Sequence, residues 1–373
     1  MRSYYFNFYN KFCFEVVSSV SNEIEKYFVD EMQYLQTDNS PLKESLPRIG
    51  AVQIVDKINI PQDSSIYVFN SVYMAKDTLY FIYSSRLLTI EAAENCFIVT
   101  VEKDFYPLVA FYICEVLLRL YAVQYDIVFL HASAFKYKGK LFVINAFGGT
   151  GKTNLLLDVL EHGGIYLSDD IVAVDKANNL YPYKKRLNIL YYNFLYKKDL
   201  LSKINISMYW LSLLEMLLKT EGTFFYKHFR IYKCINRLQG KLSQHIDYKK
   251  VVSNDEQYNT YDIDYFIWME RTADQSKLFP VMPEYFSDRM NCCLGVENKH
   301  VGFWLDYLMI GNPFIQGFIF KQNKMIHDIA SRNAIIGLKK KSGDDATVFT
   351  IIHNLAEHEM KSTNSIDFKK YDN

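Results

Sequence analysis

The segment Ala146-Phe-Gly-Gly-Thr-Gly-Lys-Thr153 constrains the fold of this 373-residue chain more than any other. Glycines followed by Lys-Thr make a turn whose backbone N–H groups converge on phosphate oxygens, provided a strand feeds it and a helix leaves it. Both flanks meet that condition. Leu141 to Asn145 reads as a short apolar strand, and Asn154 to Glu161 reads as a helix stopped by Gly163-Gly164. The expected unit is strand, phosphate-binding loop and helix, with Ala146 standing where the usual pattern has glycine. In such a loop Gly148, Gly149, Thr150, Gly151 and Asn154 surround the phosphates of a nucleotide, Lys152 neutralises the β and γ groups, and Thr153 offers its hydroxyl to Mg²⁺.

Ile165 to Ser168 reads as a second strand ending in Asp169-Asp170 and followed by the apolar run Ile171 to Val174. Two carboxylates at a strand end suit metal coordination and activation of a hydroxyl, and an isolated pair also suits a solvated acidic turn. His131 closes the apolar run Ile127 to Leu130, which by itself describes a hydrogen-bonded core histidine. Lys184, Lys185 and Arg186 offer either a clamp for a phosphoryl group or a solvated basic turn. Glu270 and Arg271 end the apolar strand Asp264 to Glu270, where open α/β sheets bind ligands and where structural ion pairs are also common.

Taken in order, Leu130-His-Ala-Ser-Ala-Phe, Lys138-Gly-Lys, Gly148-Gly-Thr-Gly-Lys-Thr153 and Gly163-Gly-Ile-Tyr-Leu-Ser-Asp-Asp170 resemble the C-terminal domain of HPr kinase/phosphorylase. They resemble more closely the HPr-kinase-like proteins encoded beside ribosomally made peptides. The likeness runs from Phe129 to Asp175; elsewhere it is only a general layout, with an upstream domain ahead of the kinase core. It implies an α/β fold with a phosphate-loop core of the HPr kinase and phosphoenolpyruvate carboxykinase type. It further implies ATP and Mg²⁺ as cofactors, Lys152 and Thr153 on nucleotide and metal, Asp169 as proton acceptor, Asp170 as metal ligand, and His131 beside the phosphates. Where that family places a further acidic metal ligand, Tyr181 to Tyr192 offers Lys and Arg instead.

Three regions are expected: an α+β N-terminal domain over 1–123, the kinase core over 124–275, and a mostly helical region over 276–373. In the first, Ser65 to Asn70 and Thr78 to Tyr83 read as strands, and Pro41 to Pro61 as loop and extended chain. In the core, Lys138-Gly139 is a hairpin turn between Ile127 to Phe135 and Lys140 to Ile144, and Ser207 to Lys219 is an apolar helix candidate. The last dozen or so residues are polar enough to fray.

Acidic and basic residues balance at 42 each, so no global field steers the chain toward nucleic acid or an anionic membrane. The N-terminus lacks the apolar run of a secretory signal, and Leu108 to Val123 is broken by Glu115 and Arg119. Six cysteines without a CxxC spacing give no zinc site. A cytoplasmic protein without a membrane or nucleic-acid partner is expected. Its function reads as transfer of the γ-phosphoryl group of ATP to a Ser or Thr hydroxyl of a peptide or small protein. A small-molecule kinase and a nucleotide-gated binding module without turnover stand as alternatives, and a homo-oligomer stays open.

Overall fold

The computed structural model describes residues 1–20, 23–35, 46–60, 66–69, 72–75, 78–189, 193, 196, 244–246, 249, 259–297 and 302–357. Among these the chain is a mixed α/β protein divided into two units, each assembled from segments distant in sequence. The first takes 1–130, 173–181 and 283–332; the second takes 131–172, 182–282 and 333–373.

The first unit is built on an eight-stranded sheet whose central strand, Arg48–Val55, runs parallel to both Phe12–Ser18 and Phe97–Glu102. That strand lies inside the stretch expected to be loop and extended chain. Its apolar run Ile49 to Val52 is buried on both faces of the sheet, which alternation cannot reveal. Ile66–Phe69 and Thr78–Tyr83 form strands as expected. The helix Pro107–Ala122 with its following turn is apolar and long enough to cross a membrane, but it packs on this sheet with both Glu115 and Arg119 buried.

The second unit carries the glycine-rich segment Ala146 to Thr153. Its six-stranded sheet runs in the order Ile165–Ser168, Ala132–Tyr137, Lys140–Ala146, Tyr265–Thr272, Ile335–Lys341, Lys277–Val281. Ala132–Tyr137 and Lys140–Ala146 form the expected hairpin, with Lys138 and Gly139 both at positive φ as a tight two-residue turn requires. Lys140–Ala146 then runs parallel to Tyr265–Thr272, which runs parallel to Ile335–Lys341. Asp264 sets the register, its carboxylate accepting the Leu141 N–H at 2.8 Å while its own N–H donates to Leu141 O at 3.2 Å.

Side chains alternate across the entry strand. Phe142, Ile144 and Ala146 face a core filled by Leu155, Leu156 and Val159 of the helix Lys152–Glu161 and by Val348, Ile352 and Leu355 of the helix Asp345–Glu357. The first of these helices ends as its sequence dictates. Gly163 takes a left-handed φ of 84°, and Gly164 N–H returns to Val159 O at 2.9 Å, satisfying carbonyls the helix leaves open.

The expected third region does not form one block. The helices Pro283–Glu297, Gly302–Gly311 and Pro313–Arg332 belong to the first unit, whereas Lys277–Val281 and Ile335–Lys341 are strands of the six-stranded sheet of the second. The boundary at 123 also moves, since Ile127–Leu130 lies in the first unit and the second begins at His131. Short apolar runs such as Ile335 to Leu338 have no period that separates a buried strand from a turn of buried helix. The candidate helix Ser207 to Lys219 and the final residues lie outside the described residues.

Candidate phosphate-binding site

The loop is shaped by its glycines. Gly149 has φ 76° and Gly151 has φ 105°, conformations that a side chain strains, and Gly151 caps the helix Lys152–Glu161 without any side-chain hydrogen bond. Thr150 closes the turn by donating from Oγ1 to Phe147 O at 2.6 Å. The N–H groups of Lys152, Thr153 and Asn154 have no acceptor within the helix, because its first turn never does, so the loop ends in open donors at the positive end of the helix dipole. Gly148 and Gly149 are exposed at the tip. The departure at Ala146 finds a physical reason here. It is the last residue of the entry strand with no positive φ, and its methyl group is fully buried in the core, so nothing at this position calls for glycine.

Lys152 is buried, and its ammonium donates to Ala146 O and to His131 Nε2, each at 2.8 Å. An ammonium has no lone pair, so Nε2 must accept and the ring proton sits on Nδ1, which lies 3.5 Å from Asp170 Oδ1. His131 thus links the loop lysine to the second aspartate. The geometry comes from the chain path, since His131 sits between the strands Ile127–Leu130 and Ala132–Tyr137, and Ala132 N–H bonds to Asp170 O at 3.2 Å.

Asp169 is buried at the end of Ile165–Ser168. Its Oδ1 accepts from Ser133 Oγ at 2.5 Å and its Oδ2 from Thr153 Oγ1 at 3.1 Å. Burial raises its pKa above the ordinary carboxylate value, and the neighbouring Asp170 charge pushes the same way. The Ser133 and Thr153 hydroxyls and the Lys152 ammonium oppose this without cancelling it. Asp170 takes a left-handed φ of 71°, which an aspartate tolerates better than most residues. The reversal of direction there separates the two carboxylates: Asp169 points inward, and Asp170 is half-exposed with Lys185 Nζ 3.7 Å from Oδ2.

The expected residues Lys152, Thr153, Asp169, Asp170 and His131 therefore share one network. Asn154 turns its amide oxygen to Asn193 Nδ2 at 2.7 Å. Of the basic trio, Lys185 reaches Asp170, whereas Lys184 is buried. The strand end after Trp268 splits its two candidates. Glu270 accepts from the Trp268 indole at 2.8 Å, while the Arg271 guanidinium donates to Gly149 O in the loop. Sequence reasoning missed Ser133, Lys340 and Asp345. Ser133 was within reach, because in extended chain it shares a face with His131 two residues earlier. Lys340 pairs with Asp345 beside Gly151 through a sheet register that no local pattern encodes.

Neither a protein-family model nor a curated protein sequence matches this chain.

Proposed function

We propose that this chain is an ATP-dependent kinase of the HPr-kinase-like type that transfers the γ-phosphoryl group to a Ser or Thr hydroxyl of a peptide or small protein. The observation that carries the reading is the junction of loop and carboxylate: Thr153 of the loop donates to Asp169, and Lys152 of the same loop is bonded to His131 beside Asp170. A glycine-rich turn with only a structural role has no use for two buried ionisable groups facing its first helical turn.

The donors fit the expected metal. Among the described residues no cluster of three or more His, Cys, Asp or Glu side chains is built to hold an ion. Magnesium does not need one, because it binds through one or two carboxylates, a loop hydroxyl and substrate phosphates. Thr153 and Asp170 are the residues that would hold it, and when bound it supplies charge neutralisation along the phosphate chain.

The chain's own groups divide the remaining work. Lys152 and the loop N–H groups hold the phosphates, and the imidazole of His131 positions Lys152. Asp169 accepts the proton of the acceptor hydroxyl while that oxygen bonds to the γ-phosphorus and the bond from γ-phosphorus to the ADP oxygen breaks. A carboxylate held in a buried site with a raised pKa is a better base for a hydroxyl than an exposed one. Use of ATP suits a cytoplasmic place of action.

The test is to incubate the chain with Mg²⁺, ATP and hydroxyl-bearing peptides encoded beside its gene, then read intact masses. One added phosphate per peptide with matching ADP is the expected result. Bound ATP with no ADP and unchanged masses would replace the kinase by a nucleotide-gated binding module.

His131→Gln separates a phosphate-site histidine from a packing one. Turnover should fall about 10²-fold, the scale of a lost electrostatic partner, with a small change in thermal midpoint. A strongly lowered midpoint with normal turnover per folded molecule would return His131 to the core.

A further inference from the structure

We infer that Arg271 and Lys340 form a second cationic grip on the phosphate chain of the donor nucleotide, an assignment that rests on the kinase reading and extends it. Arg271 and Lys340 are register partners on the parallel strands Tyr265–Thr272 and Ile335–Lys341. They lie two residues beyond the level at which the entry strand passes into the loop, since Ala146 pairs with Met269. Parallel strands therefore deliver both cations to the carboxyl edge of the sheet, the edge at which open α/β sheets take ligands.

Both reach the loop. The Arg271 guanidinium donates to Gly149 O and is exposed. The buried Lys340 ammonium lies so close to Gly151 that a Cβ there would sit 2.3 Å from Nζ. A cavity of about 200 Å³ opens between them, lined by Gly149, Gly151, Asn154, Arg271, Lys341 and Asp345 among others. Lysine beside the N-terminal end of a helix opposes the dipole, which favours anions there. Asp345 pairs with Lys340, and Asp344 lies near Lys341 while accepting the Ser276 hydroxyl. Three cations against two carboxylates, next to the open N–H groups of the helix's first turn, leave the cavity positive. A phosphate chain supplies the missing charge, and the planar guanidinium suits it through paired N–H donors. Lys152 is not among the residues lining this cavity, so the two cationic groups act on different flanks of the loop.

Calorimetric titration of Mg²⁺-ATP into three variants tests the grip. Arg271→Met, at an exposed side chain, should bind ATP about 10-fold or more weakly, and Arg271→Lys should recover part of the loss. Lys340→Met alone strands a buried carboxylate, so the double variant Lys340→Met/Asp345→Asn is used instead, with the same direction expected. Affinity of Arg271→Met, which removes one net charge, should fall less steeply with added NaCl than that of the parent. A purely structural role moves the thermal midpoint and leaves both affinity per folded molecule and its salt dependence alone. Parent-like binding in both folded Arg271→Met and the folded double variant, with parent-like salt dependence in Arg271→Met, would overturn the grip alone. A parent that binds no triphosphate would overturn the kinase reading with it.

Discussion

Asp169→Asn should lower turnover by at least about 10³-fold while ATP still binds, and should raise the thermal midpoint at neutral pH. Asparagine keeps the shape and can still engage the hydroxyls of Ser133 and Thr153, but it cannot take a proton from the acceptor. The gain in stability follows from the raised pKa. Burial favours the protonated acid, so the folded chain holds this proton to higher pH than the unfolded chain, whose carboxyl titrates near the ordinary 3.8. The contribution of Asp169 to stability is therefore complete below that value and is lost as pH rises through the folded pKa. Asparagine has no such dependence. The midpoint of the variant should exceed that of the parent at pH 7, and the gap should close as pH falls toward about 4. Parallel melts across pH and single-turnover assays read both effects. A parent and variant with equal turnover would move the base to another residue, and a variant melting below the parent at pH 7, with the gap closing toward about pH 4, would mean that the charged carboxylate is a net stabiliser.

How far the sequence could be read depended on whether the information was local. The loop, its entry strand and its helix were legible because glycine positions, an apolar run and a glycine stop are decided within a few residues. Asp169 and His131 were legible as candidates through their order relative to the loop, and the structure places both within hydrogen-bonding reach of it. Nonlocal features were not. Ile335–Lys341 joins the six-stranded sheet only by pairing with Tyr265–Thr272, more than sixty positions earlier in the chain, so neither its strand character nor the meeting of Lys340 with Gly151 can be read from its neighbours. Arg48–Val55 was obscured in the same way, since its prolines lie outside the strand and its partners lie on both sides in sequence. Ala146 shows the reverse case, in which a departure from a motif disappears once the residue is seen in a strand that accepts a methyl group.

Lys152→Ala carries the other large effect. Its ammonium is buried and held by Ala146 O and His131 at the first residue of the loop's helix, where it would meet the β and γ phosphates in the proposed complex. Alanine should weaken ATP binding by about 10²-fold and take turnover below detection, since charge-assisted contacts to phosphate are among the stronger hydrogen bonds. The fold should persist. Removing the lysine takes a buried charge away and leaves His131 next to Asp170, and alanine suits the first turn of a helix. Melting and circular dichroism on the same preparation establish that any loss is one of binding. The direct measurement is a calorimetric titration of Mg²⁺-ATP into the parent chain and into Lys152→Ala under identical conditions. Saturable binding by the parent, weakened about 10²-fold in a folded variant, is the result a phosphate-binding loop predicts; equal affinity in both, or no binding by the parent, would contradict it.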